Sequence, residues 1–230
     1  MRIFVAGATG VIGRRLVPLL VANGHTVIGT TREAHKVDAL RAAGASAVVL
    51  DALDRRAVRE AVVRARPNVV VHQLTALAAF TDFRKFDEGF VLTNRLRTEG
   101  TDNLIAAMKE AGVRRLVAQS YAGGLSFARV GGPVKTEDDP LDPDPPAALR
   151  RTIEAIGYLE NAVLHTDGVD GTVLRYGLLY GPGTSLGEGG FQLEAVRRRR
   201  FPIVGAGSGL SSFIHVDDAA SATLAAVETG

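Results

Sequence analysis

The first thirteen residues restrict the fold of this chain more than any other stretch. An apolar run, Arg2-Ile3-Phe4-Val5-Ala6, leads without a spacer into Gly7-Ala8-Thr9-Gly10-Val11-Ile12-Gly13, and a helical pattern follows at once. Gly7 permits a tight turn, Gly10 lets a ligand approach the backbone with no Cβ in the way, and Gly13 allows close packing of helix on strand. The free N–H groups at the helix start, with the helix dipole, attract phosphate charge. The spacing therefore predicts a pocket for the diphosphate of an NAD(P) cofactor, with Gly7, Thr9, Gly10, Val11, Ile12 and Gly13 as binding residues. The alternative is a tight turn without a ligand.

The rest of the chain repeats the strand-then-helix unit. Strands are predicted at Arg2–Ala6, Thr26–Thr30, Ala47–Leu50, Val69–His72, Arg115–Ala118 and Thr172–Arg175. Helices are predicted at Val11–Asn23, Ala34–Ala43, Arg55–Arg64, one long segment from about Phe86 to Ala111, and Ala147–His165. Nearly every strand is continuously apolar, as expected when helices cover both faces of a parallel sheet. Gly24, Gly44 and Gly112 stand just past helix ends, where a left-handed cap is useful, and Pro18 is expected to kink the first helix mildly or not at all. The fold class is α/β, a doubly wound parallel Rossmann sheet in the order 3-2-1-4-5-6 with an extra strand, followed by a small, incomplete C-terminal substrate region. Residues 1–180 form the NAD(P)-binding domain and 181–230 part of a substrate-binding region, with 213–230 returning to the core. Two stretches break the rhythm: Gly123–Pro146, rich in Gly, Pro and Asp, and Gly181–Gly190.

Composition narrows the function classes. There is no cysteine, which removes disulfides, thiolate metal sites and a Cys nucleophile, and no metal site is expected. A net charge of +2 does not suggest a nucleic-acid or membrane partner. No apolar run approaches the roughly 18 residues of a membrane span, and no secretory signal is visible, so a cytoplasmic location is expected. The partner expectations are a small-molecule substrate and a homodimer.

The second strand ends in Gly29-Thr30-Thr31-Arg32, with Lys36 one helical turn later. A carboxylate there would grip the ribose 2′-hydroxyl of NAD, whereas cations suit the 2′-phosphate of NADP. Arg32 and Lys36 therefore favour NADP over NAD, although Glu33 stands between them and a solvated helix start is the alternative.

With these residues in hand, the chain resembles the short-chain dehydrogenase/reductase superfamily, most closely its extended epimerase/dehydratase branch or atypical relatives. The likeness runs along the whole chain. Gly7–Gly13 matches the family's glycine turn. Asp51-Ala52 resembles the pair that meets the adenine ring, and Val70–Ala76 the fourth strand and the loop passing the cofactor ribose, with Leu74, Thr75 and Ala76 as contacts. Asn94 with Gly100-Thr101-Asp102-Asn103-Leu104 resembles the family's Asn…Gly-Thr-x-Asn-Leu helix. Leu174–Gly183 resembles the sixth strand and the turn near nicotinamide, which adds Tyr176, Gly177 and Leu178 to the cofactor contacts. Phe213–Ala219 resembles the late His-Val-Asp-Asp segment. His215, Asp217 and Asp218 are read there as structural, the two carboxylates favouring a helix N-terminus.

One departure bears on mechanism. The resemblance implies a Tyr-x-x-x-Lys pair on one helix face, the Lys favouring the phenolate. No such pair occurs. With Glu160 taken as the family's Glu four residues past the Lys, the Lys position is Ile156 and the Tyr position Thr152. The end of the fifth strand, Gln119-Ser120-Tyr121, supplies the remaining candidates. In one interpretation Tyr121 is a relocated proton donor beside the nicotinamide with Ser120 as hydrogen-bond partner, helped by a cation such as Arg175. In the other, Tyr121 is an aromatic wall and the protein is a catalytically silent NADP-binding sensor or interaction protein. The leading expectation is an NAD(P)-dependent oxidoreductase or epimerase/dehydratase-like enzyme acting on a small carbonyl, hydroxyl or nucleotide-sugar compound.

Arg197-Arg198-Arg199-Arg200 is read as the solvated end of a helix, with an anion subsite as the alternative. Members of the superfamily continue past the point matching Gly230, so the chain is expected to be either a piece of a longer protein or a shortened member.

Overall fold

The computed structural model describes residues 1–77, 80, 86–122, 134–201, 203, 206–207 and 210–229. The first half of the expected loop, 123–133, lies outside the described residues, as do Lys85, Gly230 and parts of 202–209.

Six parallel strands form the central sheet: β1 (Arg2–Ala6), β2 (Thr26–Thr31), β3 (Ser46–Val49), β4 (Val69–His72), β5 (Arg115–Tyr121) and β6 (Asp170–Tyr176). Their order is β3-β2-β1-β4-β5-β6, the doubly wound arrangement that the sequence predicts. The switch in winding direction falls between β1 and β4, which pair from Ile3 opposite Val69 to Ala6 opposite His72. No further strand joins this sheet among the described residues. The extra strand expected there is instead β7 (Leu178–Tyr180), which pairs in parallel with β8 (Phe213–His215) in a separate small sheet. Gly177 makes this departure possible, since a Cβ there would lie 2.5 Å from the Ser212 carbonyl oxygen.

Double burial explains the unbroken apolar strands. Alternate residues Ile3, Val5, Val69 and Val71 face helix α1 (Gly13–Ala22) and the last helix, α8 (Val216–Thr229). Phe4, Ala6, Val70, Leu116 and Ala118 face the other layer, α3 (Arg55–Ala65), α5 (Glu99–Glu110) and α6 (Ala147–His165). Each of the larger side chains among these, Val, Leu, Ile or Phe, contributes about 1.5–3 kcal/mol through burial. Helix α2 (Val37–Ala42), preceded by a single 3₁₀ turn at Ala34–Lys36, covers the β3 edge, and α7 (Phe191–Arg197) follows the small sheet's first strand. Gly24, Gly44 and Gly112 have φ of 77°, 85° and 69°, the left-handed values of helix-ending glycines. Helix α1 runs through Pro18.

The long segment expected from Phe86 to Ala111 is two helices, α4 (Phe86–Arg97) and α5, separated at Thr98. At Thr98 the backbone leaves helical geometry (φ −96°, ψ −81°), while its N–H and its hydroxyl both donate to the Asn94 carbonyl, at 3.0 and 3.1 Å. The break lets each half follow its own partner, α4 lying on α6 and α5 on α3.

One buried side chain pins the upper part of this layer. His72, at the end of β4, is fully buried. Its Nδ1 accepts the Leu74 N–H at 3.2 Å, which leaves the proton on Nε2 to donate to Thr101 Oγ1 at 3.0 Å. The Thr101 hydroxyl donates in turn to the Arg97 carbonyl at 2.6 Å. Burial, reinforced by the charge of Arg97, lowers the His72 pKa from 6.5 to about 4. The folded ring stays neutral where an unfolded one takes a proton, so stability falls as pH drops from about 6.5 towards 4. Denaturant unfolding should lose about 2 kcal/mol between pH 7.5 and pH 5 from this group. His72→Gln should remove that part of the slope, and an unchanged slope would contradict it.

Candidate functional site

The carboxyl ends of all six strands lie along one edge of the sheet, the usual ligand edge of a doubly wound fold. The turn after β1 is built against its neighbours. Gly7 has φ of 89° and a Cβ there would lie 2.6 Å from the Gln73 carbonyl oxygen. At Gly13 a Cβ would lie 2.5 Å from the Gly7 oxygen and 2.6 Å from the Ala8 carbonyl. Gly10 differs: its Cβ would meet only the Gly7 oxygen, at 3.2 Å, and the residue is exposed. The Gly7 N–H donates to Thr30 Oγ1, the Ala8 N–H to the Thr30 carbonyl and the Gly10 N–H to the Gly7 carbonyl. The N–H groups of Val11, Ile12 and Gly13 have no acceptor among the described residues. The corner is thus closed on the protein side and presents unpaired donors at the start of a helix.

Most of the other positions expected at a cofactor site stand at or just past the carboxyl ends of the other strands, and Asn94 stands on α4. Thr9 donates its hydroxyl to Thr31 Oγ1 at 3.2 Å, joining the glycine turn to the end of β2. Arg32 is exposed with no ion pair among the described residues, whereas Lys36 is ion-paired with Glu33. That pair, through its hydrogen bond first, holds the Glu33 carboxyl below its usual pKa. Asp51 caps its own turn by accepting the Leu53 N–H, and Asn103 Nδ2 holds the Ala52 carbonyl at 3.0 Å. Leu74, exposed Thr75 and Ala76 form the loop after β4; His72 anchors its start, and Thr93 Oγ1 accepts the Ala76 N–H at 3.1 Å. Tyr176 turns its side chain inward: its hydroxyl donates to the Ala219 carbonyl at 2.9 Å and bonds Thr223 Oγ1 at 2.7 Å. Burial first, against that second bond, pushes its pKa up to about 12. Gly177 and Leu178 follow it at the start of the small sheet.

Ser120 and Tyr121 share the end of β5 but not an environment. The Ser120 hydroxyl is buried and donates to Glu160 Oε1 at 2.6 Å. Glu160 is held bidentately by Arg175, with Nε to Oε1 at 3.0 Å and Nη2 to Oε2 at 2.8 Å. Arg175 also donates to the Glu137 and Asp139 carbonyls, tying the described half of the loop to β6. Ser120 is therefore committed to a buried ion pair. Tyr121 packs beside the apolar cluster of Leu149, Ile153 and Ile156 on α6. Burial raises its pKa, and the charge that opposes this comes from Arg97, not from Arg175 as the sequence suggested. At neutral pH its phenol keeps its proton and can donate a hydrogen bond.

Asn94 spans the gap to α6: its Nδ2 donates to Thr152 Oγ1 at 3.1 Å, and its Oδ1 accepts from Arg97 at 3.4 Å. Sequence reasoning missed His72, Thr93 and Arg97 as organising residues, and it set Arg175 beside Tyr121 where the structure pairs it with Glu160. Thr101 and Asn103 stood in a motif that pointed to them, but their partners, a ring and a carbonyl from distant segments, left no local pattern. In the region after β7, Arg197 pairs with Glu188 and Glu194, as a solvated helix end would. His215 Nδ1 accepts the Asp217 N–H at the start of α8, and Asp217 pairs with Arg15 at 3.3 Å.

Comparison with known proteins agrees with this geometry. The chain is 50% identical over its whole length to a Streptomyces protein named 3-diazoavenalumate denitrifying reductase, of which it spans 73%. It is 30% identical over its whole length to a Stigmatella aurantiaca protein named 4-hydroxy-2-methyl-3-oxo-4-farnesyl-3,4-dihydroquinoline-1-oxide ketoreductase, of which it spans 65%. Among solved structures, the Thermus thermophilus UDP-glucose 4-epimerase in complex with NAD superposes with a TM-score of 0.76 at 26% identity, covering all of this chain and 75% of that one. The model of the NAD dependent epimerase/dehydratase family matches residues 3–230, and the chain belongs to that family.

Proposed function

We propose that this chain is the dinucleotide-binding part of an NAD(P)H-dependent reductase. The observation that carries this reading is the corner at Gly7–Gly13, where packing forbids a side chain on the protein side, Gly10 is exposed, and the N–H groups of Val11, Ile12 and Gly13 have no acceptor among the described residues. Those features fit a dinucleotide diphosphate. The ends of β2, β3 and β4 would hold the adenosine half and the ribose, through Arg32, Asp51, Ala52 and the Leu74–Ala76 loop. Residues 1–180 make up the binding domain in this proposal, and 181–230 belong to a substrate region. Bound reduced nicotinamide supplies a hydride.

Both named relatives are reductases, which favours reduction over epimerisation. Neither Thr152 nor Ile156 can exchange a proton at neutral pH, and the half-buried phenol of Tyr121 is a donor of hydrogen bonds, not a base. An acceptor that takes a hydride without a proton from the protein suits such a site. A diazo carboxylate of the kind named for the Streptomyces relative meets that condition in its diazonium form. Replacing the diazonium group by hydride forms one C–H bond, releases N₂ with the former C–N electron pair, and neither consumes nor yields a proton. The resident residues then need only orient the acceptor and exclude water, work that contributes much of the acceleration in a positioned reaction. We further propose a preference for NADP, resting on Arg32 alone because Lys36 is engaged by Glu33.

Fluorescence titration with NADPH and NADH checks the first part. Gly10→Ala should weaken dinucleotide binding by roughly tenfold or more with little change in melting temperature, and Gly13→Ala should destabilise the fold by about 1–3 kcal/mol through overpacking. Equal binding by Gly10→Ala and wild type would remove the diphosphate from this corner. Arg32→Ala should weaken NADPH by about tenfold and leave NADH unchanged; unaltered NADPH binding would refute the NADP preference. In turnover with a diazo carboxylate, Tyr121→Phe should lower kcat by less than about tenfold, since a hydrogen bond and not a proton is lost. A loss of about 10²–10⁴ would make Tyr121 the proton donor instead.

A further inference from the structure

Arg97 closes α4 and is 7% exposed. Its backbone is fixed, because its carbonyl accepts the Thr101 hydroxyl that His72 orients. Its guanidinium is poorly provided for. The one hydrogen bond it makes among the described residues runs from Nη1 to Asn94 Oδ1, at a long 3.4 Å. No carboxylate lies within ion-pair distance of it among those residues, whereas Arg175, also at the strand ends, has the Glu160 carboxylate in bidentate contact. Arginine is almost never this buried without a partner, and a buried ion left uncompensated is strongly unfavourable.

Its surroundings say where a partner would enter. A helical side chain leans back towards the helix N-terminus, here towards Asn94 one turn earlier. Asn94 reaches Thr152 on α6, and Ile156, one turn further along α6, belongs to the apolar cluster against which Tyr121 packs. The charge of Arg97 acts on Tyr121 at the carboxyl end of β5. Burial lowers the guanidinium pKa to about 10, so it is charged at neutral pH. The two α6 positions that would carry a tyrosine and a lysine are thus a threonine and an isoleucine, while a cation stands opposite them on α4.

We propose that Arg97 is the resident cation of this site and, with the Tyr121 hydroxyl, forms a subsite for a carboxylate of the substrate. A carboxylate would supply the counter-charge that the protein withholds, and a guanidinium fork matches its two oxygens. The subsite would fix the acceptor by its anionic end while leaving the reacting group near the dinucleotide. This placement rests on the reductase reading above, but the subsite itself can be tested without it.

The probes are cinnamate and its neutral isostere cinnamamide, titrated by calorimetry into the protein with and without NADP⁺. Wild type should bind cinnamate about tenfold or more tightly than cinnamamide, as loss of a charge-assisted pair predicts. Arg97→Met should abolish that preference, and Arg97→Lys should keep part of it. NADPH affinity should stay within about twofold in both variants. Ligand-free Arg97→Met should melt no lower than wild type, because it removes an uncompensated buried charge. Absence of the preference in wild type, its survival in Arg97→Met, or a collapse of that variant's stability would each overturn the subsite. Failure of wild type to bind NADPH would count against the dinucleotide reading alone, since the cinnamate preference is also read without cofactor.

Discussion

The packing of backbone on backbone behind the first glycine turn governs what this chain can bind. Gly7 lies against the Gln73 carbonyl and Gly13 against the Gly7 and Ala8 carbonyls, each too close for a β-carbon. This contact fixes β1, α1 and the end of β4 relative to one another. It also leaves the N–H groups of Val11, Ile12 and Gly13 without an acceptor among the described residues. A soluble fold tolerates unpaired donors there only when water or a ligand reaches them. The same close approach therefore serves the sheet's architecture and leaves the one helix start at the switch point open to an anion.

Around that corner the polar side chains divide into two sets. One is paired among the described residues: Ser120, Glu160, Arg175 and the carbonyls of Glu137 and Asp139 hold one another and tie β5, β6, α6 and the described part of the loop together. The other is open-ended: His72, Thr101, Arg97, Asn94 and Thr152 form a chain that begins in the core, runs to Thr152 on α6 and includes a cation, Arg97, with no counter-ion among the described residues. A saturated network rigidifies, while a network with one unmet charge marks a place where a ligand completes it. The chemistry proposed for the chain draws on the second set and on the glycine corner, with the first as support.

Much of this was legible in the sequence, for reasons that can be named. The apolar runs from Arg2, Val69 and Arg115 show their strands because both faces are buried, and the glycines past α1, α2 and α5 mark the helix ends. The order of the sheet followed from the strand–helix alternation taken with the glycine turn that marks a Rossmann unit. The break at Thr98 was not legible, because apolar periodicity continues across it and the departure is confined to one residue's backbone angles. The small β7–β8 sheet was hidden for another reason: its strands are three residues each, too short for a pattern. At the site, the motif residues lie where the glycine and Asn-Leu signals point. The environments of Ser120, Tyr121 and Tyr176 depended on partners distant in sequence: Glu160 for Ser120, Arg97 and the α6 cluster for Tyr121, and Ala219 for Tyr176. Arg97 carried no signal, since an arginine in a charged helix reads as a solvated one until its burial is seen.

The most direct test is a crystal structure of this chain soaked with NADP(H). The dinucleotide's diphosphate oxygens should lie about 3 Å from the amide nitrogens of Val11 and Ile12, over Gly10. A structure in which the dinucleotide binds elsewhere, or in which that corner stays empty at saturating cofactor, would contradict the account at its base.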